Sequence, residues 1–141
     1  MKGSITMCYY LYLFSDEEFQ ESKFDKDNPG LFVLNVTHDG HRGAIAWKNE
    51  KFAYYIGGYQ GCGCGWCLTE FDDEIERAQK IADRDALKRF ISCAQSTSFR
   101  FISGYEGSQG EKVVAINELK IDEFLSLNLD SEDPVEYLVR K

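Results

Sequence analysis

Between Gly57 and Cys67 the chain reads GGYQGCGCGWC, with five glycines and three cysteines in one short run. Glycine loses more conformational freedom on folding than any other residue. A run this dense persists only where the backbone needs dihedrals closed to other side chains, or where it must approach another segment closely. The apolar residues 51–57 before it read as a strand. After it, Thr69 can cap a helix whose first turn holds Glu70, Asp72, Asp73 and Glu74, all favourable at a helix N-terminus. The segment is therefore expected to be a tight strand-to-helix loop, and it is the candidate site.

Its C-x-C-x-x-C spacing sets three sulfurs, Cys62, Cys64 and Cys67, within reach of one another. Zinc takes four soft or borderline ligands in a tetrahedron, so three thiolates leave one position to fill. Cys8, His38 and His41 are the candidates for it. If residues 31–37, 43–48 and 51–57 form a three-strand meander, the turn carrying His38 and His41 sits at the same end of the sheet as the start of the cysteine loop. Thiol redox chemistry is a second reading. Cys64-Gly65-Trp66-Cys67 is a C-x-x-C just before a helix, where a helix N-terminus lowers a thiol pKa. Against it stand the acids at residues 70–74 and the absence of a β-α-β unit before the motif. Phosphate binding is a third, weakened because no lysine or arginine lies between Lys51 and Arg77. The fourth is packing: cysteine is among the most buried residue types, and a glycine loop can seat Cys and Trp66 on a sheet without chemistry.

The remaining chain reads as one domain, 1–141, with no linker, repeat or low-complexity segment. Its 141 residues can bury a core of their own. Residues 5–14 are apolar on both alternating faces, as a strand covered on two sides would be. Residues 15–29, with acids at 16, 17, 18, 21, 25 and 27, form an exposed loop. The stripe Phe71, Ile75, Ala78 and Ala82 lies well around the helical wheel from Leu87, Phe90, Ile91 and Ala94. One straight helix cannot turn both stripes to one core, so a break is expected near Asp83–Asp85, with Cys93 on the buried stripe of the second piece. A hairpin of 99–104 with 111–116, a helix near 118–126 and a strand after Pro134 complete the reading. The class is α+β, a mostly antiparallel sheet with two or three helices packed on one face.

Lysine and arginine number 16 against 24 aspartates and glutamates, a net charge of −8 that argues against a nucleic-acid surface. No apolar run reaches the roughly 20 residues of a membrane-spanning helix. The odd cysteine count, with three thiols crowded together, fits a reducing cytoplasm better than a disulfide scaffold. The acids Glu70, Asp72, Asp73, Glu74 and Glu76 are candidates for contact with a basic protein partner, since an acidic face speeds association with a basic one. A non-catalytic binding protein, of the kind that inhibits a basic toxin, is the leading expectation. Metal binding or thiol redox at the loop is the alternative.

At the loop the chain resembles a group of small bacterial proteins with no assigned activity, which share an N-terminal Met-Cys and a central Tyr-x-Gly-Ser-x-x-Gly-Cys-x-Cys-Gly-Phe. Met7-Cys8 and Tyr55–Trp66 carry the likeness here. Gly58 stands for the serine, Trp66 for the phenylalanine, Cys67 is additional, and six residues precede Met7. The resemblance transfers no catalytic residue. It implies that Cys8, Cys62 and Cys64 belong together.

Overall fold

Alternation along Tyr9–Ser15 (β1) sends Leu11 and Leu13 to one side of a sheet and Tyr10, Tyr12 and Phe14 to the other, every one of them buried. A computed structural model describes residues 8–36 and 41–141, and in it β1 lies between β3 (Phe52–Gly57) and β4 (Ser98–Tyr105). Outside β3 runs β2 (Phe32–Asn35), and outside β4 run β6 (Val135–Arg140) and then β5 (Ala115–Lys120). The order is β2-β3-β1-β4-β6-β5, antiparallel throughout except for the β5–β6 pair. With three α-helices among the described residues, this is an α+β fold on a mostly antiparallel sheet. No helix among the described residues is long and apolar enough to cross a membrane.

Two apolar layers flank the sheet. Helix α2 (Glu74–Ser92) and helix α3 (Ile121–Leu125) cover one face, where Leu87, Ile91 and Phe124 meet Leu11, Leu13, Tyr54, Ile56, Trp66 and Phe101. On the other face, Ala44 and Trp47 from helix α1 (Arg42–Ala46) pack on Tyr10, Tyr12, Phe14 and Tyr55.

That helix stands where a strand over 43–48 was expected. Gly43 explains the substitution: a Cβ there would lie 2.3 Å from the carbonyl oxygen of Gln109, so α1 is pressed against the 105–113 loop. Trp47 closes the contact by donating its indole N–H to Glu111 O at 2.9 Å. Losing the middle strand reverses the meander argument. Phe32 pairs with Gly57 and Asn35 with Tyr54, so the chain leaves β2 at the opposite end of the strand pair from the start of the cysteine loop. His38 falls outside the described residues.

Two further expectations are corrected. β4 has both its edges taken, by β1 and by β6, so no hairpin with 111–116 forms. The later strand begins at Ala115, runs parallel to β6 and replaces the first three residues of the helix expected at 118–126. Helix α2 continues unbroken through Asp83–Asp85, capped by Asp73, whose side chain accepts from the Glu76 amide at 2.7 Å. Its first apolar stripe is simply not buried: Phe71 is 87% exposed and Ile75 72%. Cys93 is exposed at the helix C-cap and has no place in the core.

The two stripes should therefore differ sharply in value. Leu87→Ala is expected to cost about 2–5 kcal/mol in urea unfolding, and Ile75→Ala to stay within about 0.5 kcal/mol. Similar costs for both would show that the first stripe is buried after all.

Candidate functional site

The chain leaves β3 at Gly57, turns through residues 58–62, makes a single 3-10 turn over Gly63–Trp66 and reaches α2. Backbone groups in such a loop have no strand partner and need another. Trp66, 2% exposed, anchors the loop by donating its indole N–H to Ile56 O at 3.0 Å. Gly63 lies so close to β1 that a Cβ would sit 2.3 Å from Tyr9 O. That contact holds the loop against the start of the central strand.

Helix α2 satisfies the loop carbonyls with buried cations. Arg84 donates to Gly65 O at 3.0 Å, Trp66 O at 2.8 Å and Leu127 O at 3.3 Å, with its guanidinium 5.7 Å from the Trp66 ring. One turn earlier, Lys80 donates to Cys67 O and to the Asp72 carboxylate, both at 2.8 Å. Asp83 accepts the Tyr59 amide at 2.9 Å, and its carboxylate occupies the space a side chain at Gly58 would need. Burial is affordable for these charges only because each is bonded. Burial raises the Asp83 pKa and lowers that of Arg84, while their attraction for each other works against both shifts. Asn128 completes the clasp by accepting from Leu68 N at 2.8 Å and donating to Leu68 O at 2.6 Å.

The thiols group differently from their spacing. Cys62 Sγ accepts the Cys64 amide at 3.4 Å, and the Cys64 thiol is the strongest influence on that of Cys8. Cys8 arrives from the residue before β1 and holds its place by accepting the Glu106 amide at 2.7 Å. The local trio is thus Cys8, Cys62 and Cys64. Cys67 faces Asp130, Lys80 and Asp72 instead, and its amide bonds back to Cys64 O at 3.1 Å. All five cysteines are unpaired.

None of the shifted thiols is acidic. Burial pushes Cys62 up to about 11, with the neighbouring Cys64 and Cys8 thiols adding to it. Contact with Cys64 is the main cause that raises Cys8, and burial the main cause that raises Cys67. The expected influence of a helix N-terminus is missing because α2 begins only at Glu74, and Asp73 already caps it. Among the described residues, no group of three or more His, Cys, Asp or Glu side chains is placed to hold a metal ion.

His41 packs against the aromatic rings of β1 and β3. Its Nδ1 lies 2.8 Å from the Tyr12 hydroxyl, and its ring packs 5.7 Å from Tyr12 and 5.2 Å from Tyr55. Tyr55 lies between His41 and the thiols in influence, since both Cys62 and the Gly63 amide act on its hydroxyl. Burial raises the pKa of this phenol and of Tyr12, and lifts Tyr10 to about 12, so all three stay neutral.

Of the five acids proposed for partner contact, two are committed to the fold. Asp72 has a side chain only 4% exposed and pairs with Lys80, and Asp73 caps α2. Glu70 and Glu74 are exposed and Glu76 half-buried. Around them stand residues that the sequence reading assigned to the core, Phe71 and Ile75. Lys80 and Arg84 went unrecognised, although the spacing 80, 84, 87, 91 puts them on the same helix face as Leu87 and Ile91.

Arg84→Met should cost about 2–4 kcal/mol by chemical denaturation, because it strands buried carbonyls. A loss below about 0.5 kcal/mol would contradict the clasp. Iodoacetamide labelling of Cys62 in the folded protein should be slow at pH 7 and rise about tenfold per pH unit toward pH 11, as the thiolate forms. A flat profile would mean the thiol is already ionised. Comparison of the chain with protein-family models, curated proteins and solved structures gave no match.

Proposed function

We propose that this chain is a non-catalytic binding protein that docks a basic protein partner on the outer face of the α2 N-terminal half. One observation carries the reading: Ile75 stands 72% exposed on the side of the helix turned away from Leu87 and Ile91, and Phe71, in the turn leading into the helix, stands 87% exposed beside it in sequence. Ala78 and Ala82 continue the stripe, and Glu70, Asp73, Glu74 and Asp85 surround it. Lys80 and Arg84 turn their charge inward on loop carbonyls and Asp72, and Arg77 donates to Thr69 O, so acids predominate around the apolar residues.

An apolar centre with a charged rim is the usual anatomy of a protein interface. Aromatic anchors supply most of the affinity, and rim charges supply steering and selectivity. Burying Phe71 and Ile75 against a partner is worth about 1.5–3 kcal/mol each before association costs. The acids favour a partner whose matching surface carries lysine and arginine, as an inhibitor of a basic toxin would require.

The test compares wild type with Phe71→Ser/Ile75→Ser and with Glu70→Lys/Glu74→Lys as affinity baits over lysate of the source cell. The expected result is a basic protein retained by wild type, released by salt and lost from both variants. With that partner purified, the apolar pair should lower affinity about 100-fold or more, mainly through faster dissociation. The charge pair should mainly slow association. Identical retention by all three baits would overturn the reading.

A further inference from the structure

The proposed docking face makes no use of Cys8, Cys62 or Cys64. We propose that Cys8 and Cys64 are a thiol–disulfide modification site, closed by exchange with a small disulfide of the glutathione class, with Cys62 as a bystander. The inference stands independently of the docking face.

Three placements select this pair. Gly63 rests on Tyr9 O, so Cys62 and Cys64 straddle the start of β1 and Cys8 is the residue immediately before it. Of the two loop thiols flanking Gly63, Cys64 is the one that acts on Cys8 most strongly. Cys62, however, is two positions away on the same 3-10 turn, with its sulfur turned to the Cys64 amide. A bridge between such near neighbours closes a small strained ring, whereas Cys8 approaches from a separate segment. Cys67 has its own surroundings, with Lys80, Asp72 and Asp130 about it, and Cys93 is exposed at the far end of α2. All three members of the trio are partly exposed, so a small reagent reaches them where a second protein would not.

The chemistry balances with one disulfide consumed. One thiol of the pair loses its proton and attacks a sulfur of glutathione disulfide, giving a mixed disulfide and releasing the first glutathione thiolate, which takes up that proton. The second thiol attacks the protein sulfur of the mixed disulfide. The Cys8–Cys64 bond forms, the second glutathione leaves and takes the remaining proton. Two thiols are oxidised by two electrons, and one glutathione disulfide is reduced to two glutathiones. The product ties β1 to the loop in a ring spanning residues 8–64, a closure long enough to restrict the unfolded chain strongly.

The experiment treats fully reduced, untagged protein with excess glutathione disulfide under anaerobic conditions, then maps peptides without reduction. The expected product has lost two hydrogens, links the Cys8 peptide to the Cys64 peptide, and melts about 5 °C or more above the reduced form. Cys62→Ser, Cys67→Ser and Cys93→Ser should still give it, and Cys64→Ser should not. Mapping of wild type decides the matter even if Cys64→Ser misfolds. A Cys62–Cys64 or Cys64–Cys67 bridge, glutathione adducts that never resolve, or five unreacted thiols would each overturn the proposal.

Discussion

Arg84 is the residue on which the arrangement of this molecule turns. A glycine-rich loop that packs on a sheet without joining it leaves carbonyl oxygens pointing into the protein, and something must donate to them. One guanidinium reaches Gly65, Trp66 and Leu127, which joins the loop, helix α2 and the segment after α3 at a single point. Lys80 repeats the device one turn earlier on Cys67. Without these donors the loop would need water, and Trp66 would lose the lid that keeps it dry.

Placing cations on the inner face of a helix has a consequence on the outer one. A helix of ordinary amphipathic design buries its aliphatic stripe. The second half of α2 obeys that rule through Leu87 and Ile91. In the first half the core-facing positions belong to Lys80, Asp83 and Arg84, and the aliphatic residues are left facing solvent. The same helix thus reads as two, one half ordinary and one half inverted, without any bend between them. The solvent-facing apolar surface follows from how the loop is satisfied, and the acidic rim follows from which charges were left over.

The class of fold was legible because β1 and β3 carry apolar side chains on both alternating faces, and because α2 carries helical periodicity behind a run of acids, although its cap is Asp73 and not the expected Thr69. The misreadings share a cause. Assigning 43–48 to a strand took its apolar content as decisive, whereas Gly43 was there for a close approach to Gln109, a contact 66 residues away in sequence. The break at Asp83–Asp85 came from assuming that every apolar stripe is buried. The pairing of β4 with β6 was hidden because strand partners are chosen by long-range packing, which local turn signals do not record. At the site, spacing alone groups Cys62, Cys64 and Cys67, because proximity in sequence is all that spacing measures. Cys8 joins the group only through the register that sets Gly63 against Tyr9.

Among the described residues, no two paired strands are joined by a tight hairpin. Tyr9 pairs with Tyr105, Leu13 with Tyr54, and Ser98 with Arg140, while β5 reaches β6 only through α3. The central strand is made before every other described strand and is among the last to have both neighbours, since one of them ends at residue 105. Through most of synthesis a segment with the sequence YYLYLF is available with both faces uncovered. Topologies dominated by such distant pairings fold slowly, and their incomplete states attract one another. The acidic segment that follows β1, with carboxylates at 16, 17, 18, 21, 25 and 27, gives the nascent chain a repulsive flank beside its stickiest stretch.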